Sequence, residues 1–401
     1  MIDTVVIVHD QSFVSGGAAK IAIEEAKEFK KNNYRVIYFA ALGPADETLK
    51  ESGVEVYCIG GEHIGNTKNI RTFIRAIWNK KAEDELYRLL CGLDGKKTIV
   101  HIQGWTKCLS ASVFSACIKA NIRTYVTLHD YFIICQNGGL YNYKRNCICN
   151  NKPGSIGCYC CNCDKKNYIQ KVYRNIRQLF LQFALKKCNP RKIYISNFSK
   201  SIFESNDLNF SNGTIIENYV EIISNEQVAV SENTSYVFIG RVSDEKNPKL
   251  FCEAITKSNV PGVVIGDGPL LEKLKQEYPN ITFTGWLSPR EIQKHLDKAR
   301  CMVVTSKLYE TMGLTVIEMQ ARGIPCIVPD QFAGSDYLKD TDTGVVYLNN
   351  NLESLMRAID VTKSSDYIKK LGDAFYNSYD SNRFSKETYV SRLKEIFEGI
   401  A

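Results

Sequence analysis

Short β-branched runs alternate with longer stretches of helical period from the first residue to about position 350, the pattern of parallel strands covered by crossover helices. In the first half the runs predict strands at Val5–Val8, Arg35–Ala40, Val54–Cys58, Thr98–Gln103, Thr124–Leu128, Ile193–Ser196 and Thr214–Ile216. In the second half they predict strands at Tyr236–Gly240, Gly262–Gly266, Ile281–Thr284, Cys301–Thr305 and Pro325–Pro329. The expected class is α/β taken twice, with a Rossmann-like domain over residues 1–220 and a second over 221–380. The segment Asn351–Ala401 reads as two or three helices, and the last, over residues 381–401, is expected to cross back onto the first domain. The polar stretch Glu221–Asn233 reads as a hinge or linker. Two such domains make the cleft between them the default ligand site.

Composition agrees with packed domains: 44% of the 401 residues are hydrophobic and 24% are charged. A net charge of +7 favours an anionic ligand or surface, but falls far short of a nucleic-acid binder. The apolar run Val5–Val8, with Asp3 ahead and His9 and Asp10 behind, reads as a strand rather than a secretion leader. Nowhere do roughly 18 apolar residues run uninterrupted, as a membrane-spanning helix requires. A cytoplasmic protein, soluble or peripheral at the inner face of the membrane, is expected. Fifteen cysteines without a leader then point to reduced thiols or metal ligation rather than a disulfide scaffold.

The densest chemistry lies in Ser306-Lys307-Leu308-Tyr309-Glu310-Thr311-Met312-Gly313-Leu314-Thr315-Val316-Ile317-Glu318. Two glutamates stand eight residues apart, the second inside a helix expected to start near Gly313. As a helical separation this would be about 12 Å, too long for the acid and nucleophile of a retaining glycosidase, which stand about 5 to 5.5 Å apart. The carboxylates could instead hold opposite ends of one elongated ligand, with the amides of Met312, Gly313, Leu314 and Thr315 as a phosphate seat between them. The plain alternative is a solvated loop carboxylate and a helix-surface one. A second block, Gly240-Arg241-Val242-Ser243-Asp244-Glu245-Lys246, ends a strand with two cations suited to phosphate, Arg241 as a planar fork and Lys246 as a point charge. Surface cations are the alternative there. A third, Gly266-Asp267-Gly268-Pro269, is a turn opening a helix; Leu271 stands where a dinucleotide fingerprint needs its third glycine, which argues against a nicotinamide cofactor.

These blocks resemble glycosyltransferase family 4, retaining enzymes of GT-B fold that take a sugar from a nucleotide diphosphate donor. The Glu310-x7-Glu318 block is similar to the family signature, and the resemblance implies that Glu310 meets hydroxyls of the donor sugar while Glu318 meets the ribose. Gly240-Arg241-x4-Lys246 resembles the family's phosphate-gripping element, and Gly266-Asp267-Gly268-Pro269 the turn near the nucleotide base, although a purely structural turn reads equally well. The family's Gly-Gly element has its counterpart in Gly16-Gly17, which would face the donor phosphates; a tight turn without ligand is the other reading. His129, at a predicted strand end, stands where the family places a histidine near the transferred sugar, so Glu310 and His129 are the expected catalytic pair. His129 could equally be a buried structural histidine, and His101 more so. One departure is Phe332-Ala333-Gly334-Ser335-Asp336, where family members carry a Gly-Gly and acidic element.

Seven cysteines crowd into residues 135–163, an insertion after the His129 strand. Cys147, Cys149, Cys158, Cys160, Cys161 and Cys163 are candidate ligands of a structural zinc, against unligated thiols or a redox role. From Asp164 to Lys192 the chain holds nine Lys or Arg and one acidic residue, interleaved with Tyr168, Tyr173, Phe180 and Phe183. Such a helix lies on anionic lipid or is an ordinary solvated face.

The sequence is thus expected to be a hexosyltransferase acting with a nucleotide diphosphate sugar, with no cofactor required for catalysis, on a lipid-linked saccharide acceptor of surface-polysaccharide synthesis (O-antigen, lipopolysaccharide or capsule). Its rivals are a nucleotide-sugar epimerase and a non-catalytic assembly subunit.

Overall fold

A computed structural model describes residues 1–63, 70–207, 210, 213–338 and 343–399. The chain divides into two compact units: Met1–Ile195, Lys200–Tyr219 and Phe384–Ala401 form unit 1, and Ser196–Ser199 with Val220–Arg383 form unit 2.

Unit 1 holds strands β1 (Thr4–Gln11), β2 (Arg35–Leu42), β3 (Glu55–Cys58), β4 (Thr98–Ile102), β5 (Arg123–Thr127), a small antiparallel hairpin β6 (Tyr141–Asn142) and β7 (Cys147–Ile148), then β8 (Arg191–Tyr194) and β9 (Gly213–Ile215). Its main sheet runs β3-β2-β1-β4-β5-β8-β9, every pair parallel. Val5 of β1 lies between Val36 and Ile99, and all eight residues of β1 are buried, as a strand covered on both faces demands. The helix Gly17–Lys31 lays Ala22, Ala26 and Phe29 into the core beneath this sheet. The last helix, Lys386–Glu398, fills the same core with Tyr389, Val390, Leu393 and Phe397. Phe397 stacks on Phe29 with ring centres 5.7 Å apart, and the Tyr125 hydroxyl donates to the Ile396 carbonyl at 2.7 Å.

Unit 2 holds β10 (Ser235–Ile239), β11 (Gly262–Ile265), β12 (Thr282–Gly285), β13 (Ala299–Val303), β14 (Cys326–Pro329) and β15 (Gly344–Tyr347) in the order β12-β11-β10-β13-β14-β15, again all parallel. Strand β15, which the apolar pattern did not announce, is four residues long and leaves Val346 half exposed. The segment read as a linker is instead packed onto unit 2. Val228 and Val230 are buried, the Val228 amide donates to the Arg322 carbonyl, and the Arg322 guanidinium donates to the Glu226 carbonyl and pairs with Asp297 at 2.6 Å. Two valines two residues apart outweighed the polar composition around them.

Candidate functional site

In each sheet the strand order reverses once, between β1 and β4 in unit 1 and between β10 and β13 in unit 2. Loops leaving the carboxyl ends of the strands at such a point form the natural ligand crevice of an open parallel sheet. In unit 2 those loops carry Arg241 and Lys246, after β10, and Glu310, after β13.

The two loops are stitched together. Lys246 Nζ lies 2.6 Å from Glu310 Oε1, which also accepts from Ser306 Oγ. Lys307, nearly buried, reaches Asp244 at 3.1 Å, its amide donates to the Glu245 carbonyl at 3.0 Å, and Thr305 Oγ1 donates to the carbonyls of Lys246 and Asn247. Asn247 closes the β10 loop in the left-handed region at φ 53°, a conformation asparagine tolerates, and Pro248 opens the next helix at its first position. Arg241 is exposed, whereas the Lys246–Glu310 pair is about one third exposed at 36% and 26%.

Gly266 explains why the Gly-Asp-Gly turn sits beside this loop. Its amide lies at φ 137° and a Cβ there would stand 2.0 Å from the Gly240 carbonyl oxygen, so only glycine allows the contact. Val242 N donates to the Asp267 carbonyl and Leu270 N to the Val242 carbonyl, completing a backbone zip between the loops after β10 and β11. The turn is therefore structural in the first instance, and it holds Arg241 in place.

Glu310 precedes the helix Leu314–Gln320 in a loop, so the 12 Å helical spacing does not apply between the two glutamates. Gly313 caps that helix at φ 80°, with Phe332 Cζ and Gly334 Cα 2.8 and 2.9 Å from where a Cβ would be. The departing segment Phe332–Asp336 thus forms the wall against Gly313, within the short turn Ala333–Tyr337. Met312 turns its side chain into the core, leaving the backbone of Met312 to Thr315 as the polar face; Leu314 and Thr315, in the first helical turn, have amides without an intrahelical acceptor. Glu318, in the same helix, is partly buried.

In unit 1 Gly16 and Gly17 are exposed at the start of the helix Gly17–Lys31, and a Cβ at either meets no heavy atom within 4 Å. Gly16 is extended at φ 163°, so no tight turn requires it. His129, just beyond β5, is partly buried and its Nε2 lies 2.5 Å from Gln103 Oε1. Removal from water lowers its pKa, and the neighbouring His9 and His101 lower it further. His101 is fully buried between Glu25, at 2.6 Å, and Thr127, at 2.7 Å: a structural histidine. Asp10, ending β1, accepts the backbone amides of Lys107, Cys108 and Leu109 and so shapes the loop after β4. Sequence reasoning missed Asp10, Gln103, Glu25 and Tyr389. Glu25 alone left a signal, a carboxylate on the buried stripe Ala22, Ala26, Phe29 of its helix.

The six cysteines expected to hold zinc do not form a ligand set. Cys147 and Cys160 are exposed, Cys149 and Cys161 half-buried, and Cys158 and Cys163 buried; among the described residues no three His, Cys, Asp or Glu side chains are grouped to hold a metal ion. Amide side chains approach the sulfurs instead: Cys158 donates to Gln136 at 3.3 Å and Asn142 donates to Cys161 at 3.4 Å.

The basic segment forms the helix Tyr168–Cys188. It buries Lys171, Gln178, Leu181 and Ala184 and exposes Ile169, Val172, Ile176, Leu179, Phe180 and Phe183. Lys165, Lys166, Lys186 and Lys187 are exposed at its two ends. Among the described residues no helix is long and apolar enough to cross a membrane.

Residues 220–377, nearly all of unit 2, match the family model of the glycosyl transferases group 1. Unit 2 is thus similar to the glycosyl transferases group 1. The chain is 25% identical over 260 residues to the UDP-Gal:alpha-D-GlcNAc-diphosphoundecaprenol alpha-1,3-galactosyltransferase of Escherichia coli, covering 58% of this chain and 65% of that protein. It is 25% identical over 169 residues to the O-antigen chain mannosyltransferase C of Escherichia coli, covering 40% of this chain and 42% of that one. The matched stretches thus span less than two thirds of these relatives. Among solved structures, the apo form of a lipopolysaccharide outer core galactosyltransferase superposes with TM-score 0.67 at 14% identity, covering 99% of this chain and 100% of that one. The Anabaena protein HepE in complex with UDP-glucose superposes with TM-score 0.64 at 14% identity, covering 98% and 99%. The fold is GT-B.

Proposed function

We propose that this protein transfers a hexose, with retention of configuration and without a metal, from a nucleotide diphosphate sugar to a lipid-linked saccharide in cell-surface polysaccharide assembly. The observation that carries the proposal is the Lys246–Glu310 pair at the point where the strand order of unit 2 reverses. A cation suited to the diphosphate and a carboxylate suited to sugar hydroxyls stand side by side there. The acceptor hydroxyl bonds to the anomeric carbon as the bond from that carbon to the phosphate oxygen breaks, and the acceptor proton passes to the departing diphosphate. Arg241, Lys246 and the amides of Met312 to Thr315 stabilise the charge growing on that leaving group, Glu310 orients the sugar, Glu318 holds the ribose, and Gly16 and Gly17 let the donor phosphates approach. His129 positions the sugar or the acceptor. The printed names of the relatives, which include a diphosphoundecaprenol-linked acceptor and an O-antigen chain, support this acceptor class. The apolar, lysine-flanked face of the helix Tyr168–Cys188 supports a place at the inner surface of the membrane, where such acceptors reside.

The test is to screen UDP- and GDP-hexoses for thermal stabilisation, since a ligand at about 100 times its Kd adds about 2.7 kcal/mol. The donors that bind are then incubated with and without a lipid-diphosphate-linked acceptor, and the products are identified by mass spectrometry. Transfer that requires the acceptor, with the anomeric configuration kept, is expected. Conversion of the donor without acceptor would replace transfer by epimerisation, and binding without turnover would leave a silent assembly subunit.

A further inference from the structure

His129 is joined to a buried chain of hydrogen bonds within unit 1. Glu25, on the helix Gly17–Lys31, is 1% exposed, and its carboxylate accepts on both oxygens: from His101 Nδ1 at 2.6 Å on one, from Gln103 Nε2 and from the Tyr389 hydroxyl at 2.8 Å on the other. Tyr389 comes from the last helix, 364 residues away along the chain. Gln103, 2% exposed, therefore has one allowed orientation. Reversing its amide would set the carbonyl oxygen against the carboxylate and the NH2 group against His129. Held by Glu25, Gln103 turns Oε1 to His129 Nε2, and an acceptor at that position requires Nε2 to carry the proton.

We propose that Glu25, acting through Gln103 and braced by Tyr389, is a positioning residue that fixes His129 as the neutral Nε2–H tautomer. The tautomer stands on the geometry of unit 1 alone; its effect on turnover rests on the glycosyltransfer reading. Burial and the neighbouring His9 and His101 agree with a ring that stays neutral. The ring so held does not act as a charged acid.

The experiment is long-range proton–nitrogen NMR on nitrogen-15 labelled full-length protein, with His129 assigned by the signal lost in His129→Asn. The wild type is expected to show the Nε2–H pattern for His129, unchanged between about pH 5.5 and 8, the range in which an unperturbed histidine titrates. An Nδ1–H pattern or a protonated ring at neutral pH overturns the proposal, and this readout needs neither substrate nor a variant that folds. In Glu25→Gln and in the milder Tyr389→Phe, which removes one of the carboxylate's donors, the His129 signals are expected to mix tautomers. Unmoved signals in both variants would make Glu25 merely structural. With a donor in hand, Glu25→Gln should lower kcat on the order of tenfold to a hundredfold with a smaller change in donor KM, the mark of misplacement rather than lost binding. If wild-type protein transfers nothing while the tautomer is as stated, the function falls and the network stands.

Discussion

Glu310→Gln tests the centre of the proposal, because it keeps the size of the side chain and removes the charge opposite Lys246. The pair is 2.6 Å apart but 36% and 26% exposed, so solvent screens it and its contribution to stability belongs with the surface pairs, about 1 kcal/mol or less. For a unit of this size that corresponds to a fall in Tm of about 2–4 °C. The effect on transfer should be far larger. A carboxylate holding sugar hydroxyls makes charge-assisted hydrogen bonds of roughly 1.5–3 kcal/mol each, and losing one that tightens in the transition state costs roughly 10- to 150-fold in kcat/KM. The assay pairs a melting curve with initial rates over a range of donor concentrations. Near-native melting with a loss of at least tenfold in kcat/KM is expected. Native activity would refute the role of Glu310, and a fall in Tm beyond about 10 °C would make the residue part of the scaffold.

Gly266→Ala should destabilise unit 2 by about 3 kcal/mol or more, from backbone strain at φ 137° plus the collision with the Gly240 carbonyl, whereas Gly17→Ala should leave Tm level or higher because alanine favours helix and meets open space; denaturant melts compare them, and loss of donor stabilisation in Gly17→Ala alone would mark a ligand contact. Glu83 is pushed up by burial but pulled down more strongly by Lys119, Ser115, Trp78 and Lys80, to about 2. Because that lies below its ordinary value of 4.5, its stabilisation is present above about pH 4.5 and is lost as pH falls through about 2, an order of 3 kcal/mol. In Glu83→Gln the stability difference between about pH 7 and pH 3 should shrink accordingly, and an unchanged difference would contradict the arrangement. Leu179→Ser with Phe183→Ser, both more than half exposed, should leave melting unchanged and lower binding to vesicles of phosphatidylglycerol and phosphatidylethanolamine about 100-fold by sedimentation, at roughly 1.5 kcal/mol per side chain; equal binding would reduce that face to a solvated one.

The strands were legible where they are buried on both faces, since runs such as Val5–Val8 in β1 and Tyr236–Ile239 in β10 are apolar throughout, and every predicted strand lies within a few residues of an observed one. The hairpin β6–β7 and strand β15 were not, because two- to four-residue strands carry no period. The loops of unit 2 were legible because their residues are close in sequence and chemically distinctive. The Glu25–Gln103–Tyr389 chain was not, since its members are brought together only by the last helix packing into unit 1. Polar composition suggested a linker where Val228 and Val230 are packed.

The two units place reactive loops at the same topological point and hold them by opposite means. In unit 2 the fixed parts are backbone to backbone, Gly266 on Gly240 and Asp267 on Val242, while the charged side chains remain partly in water. An ion pair of about 1 kcal/mol can be exchanged for an anionic ligand at little cost, so under the proposed function Lys246 is paired with Glu310 before the ligand arrives and with the diphosphate afterwards. In unit 1 the carboxylate is buried and accepts from three side chains, an arrangement whose disruption costs several kcal/mol. Glu25 therefore does not exchange partners. Its constancy suits a group that sets the direction of a neighbouring ring, and the availability of Lys246 suits a group that must meet a charge that comes and goes.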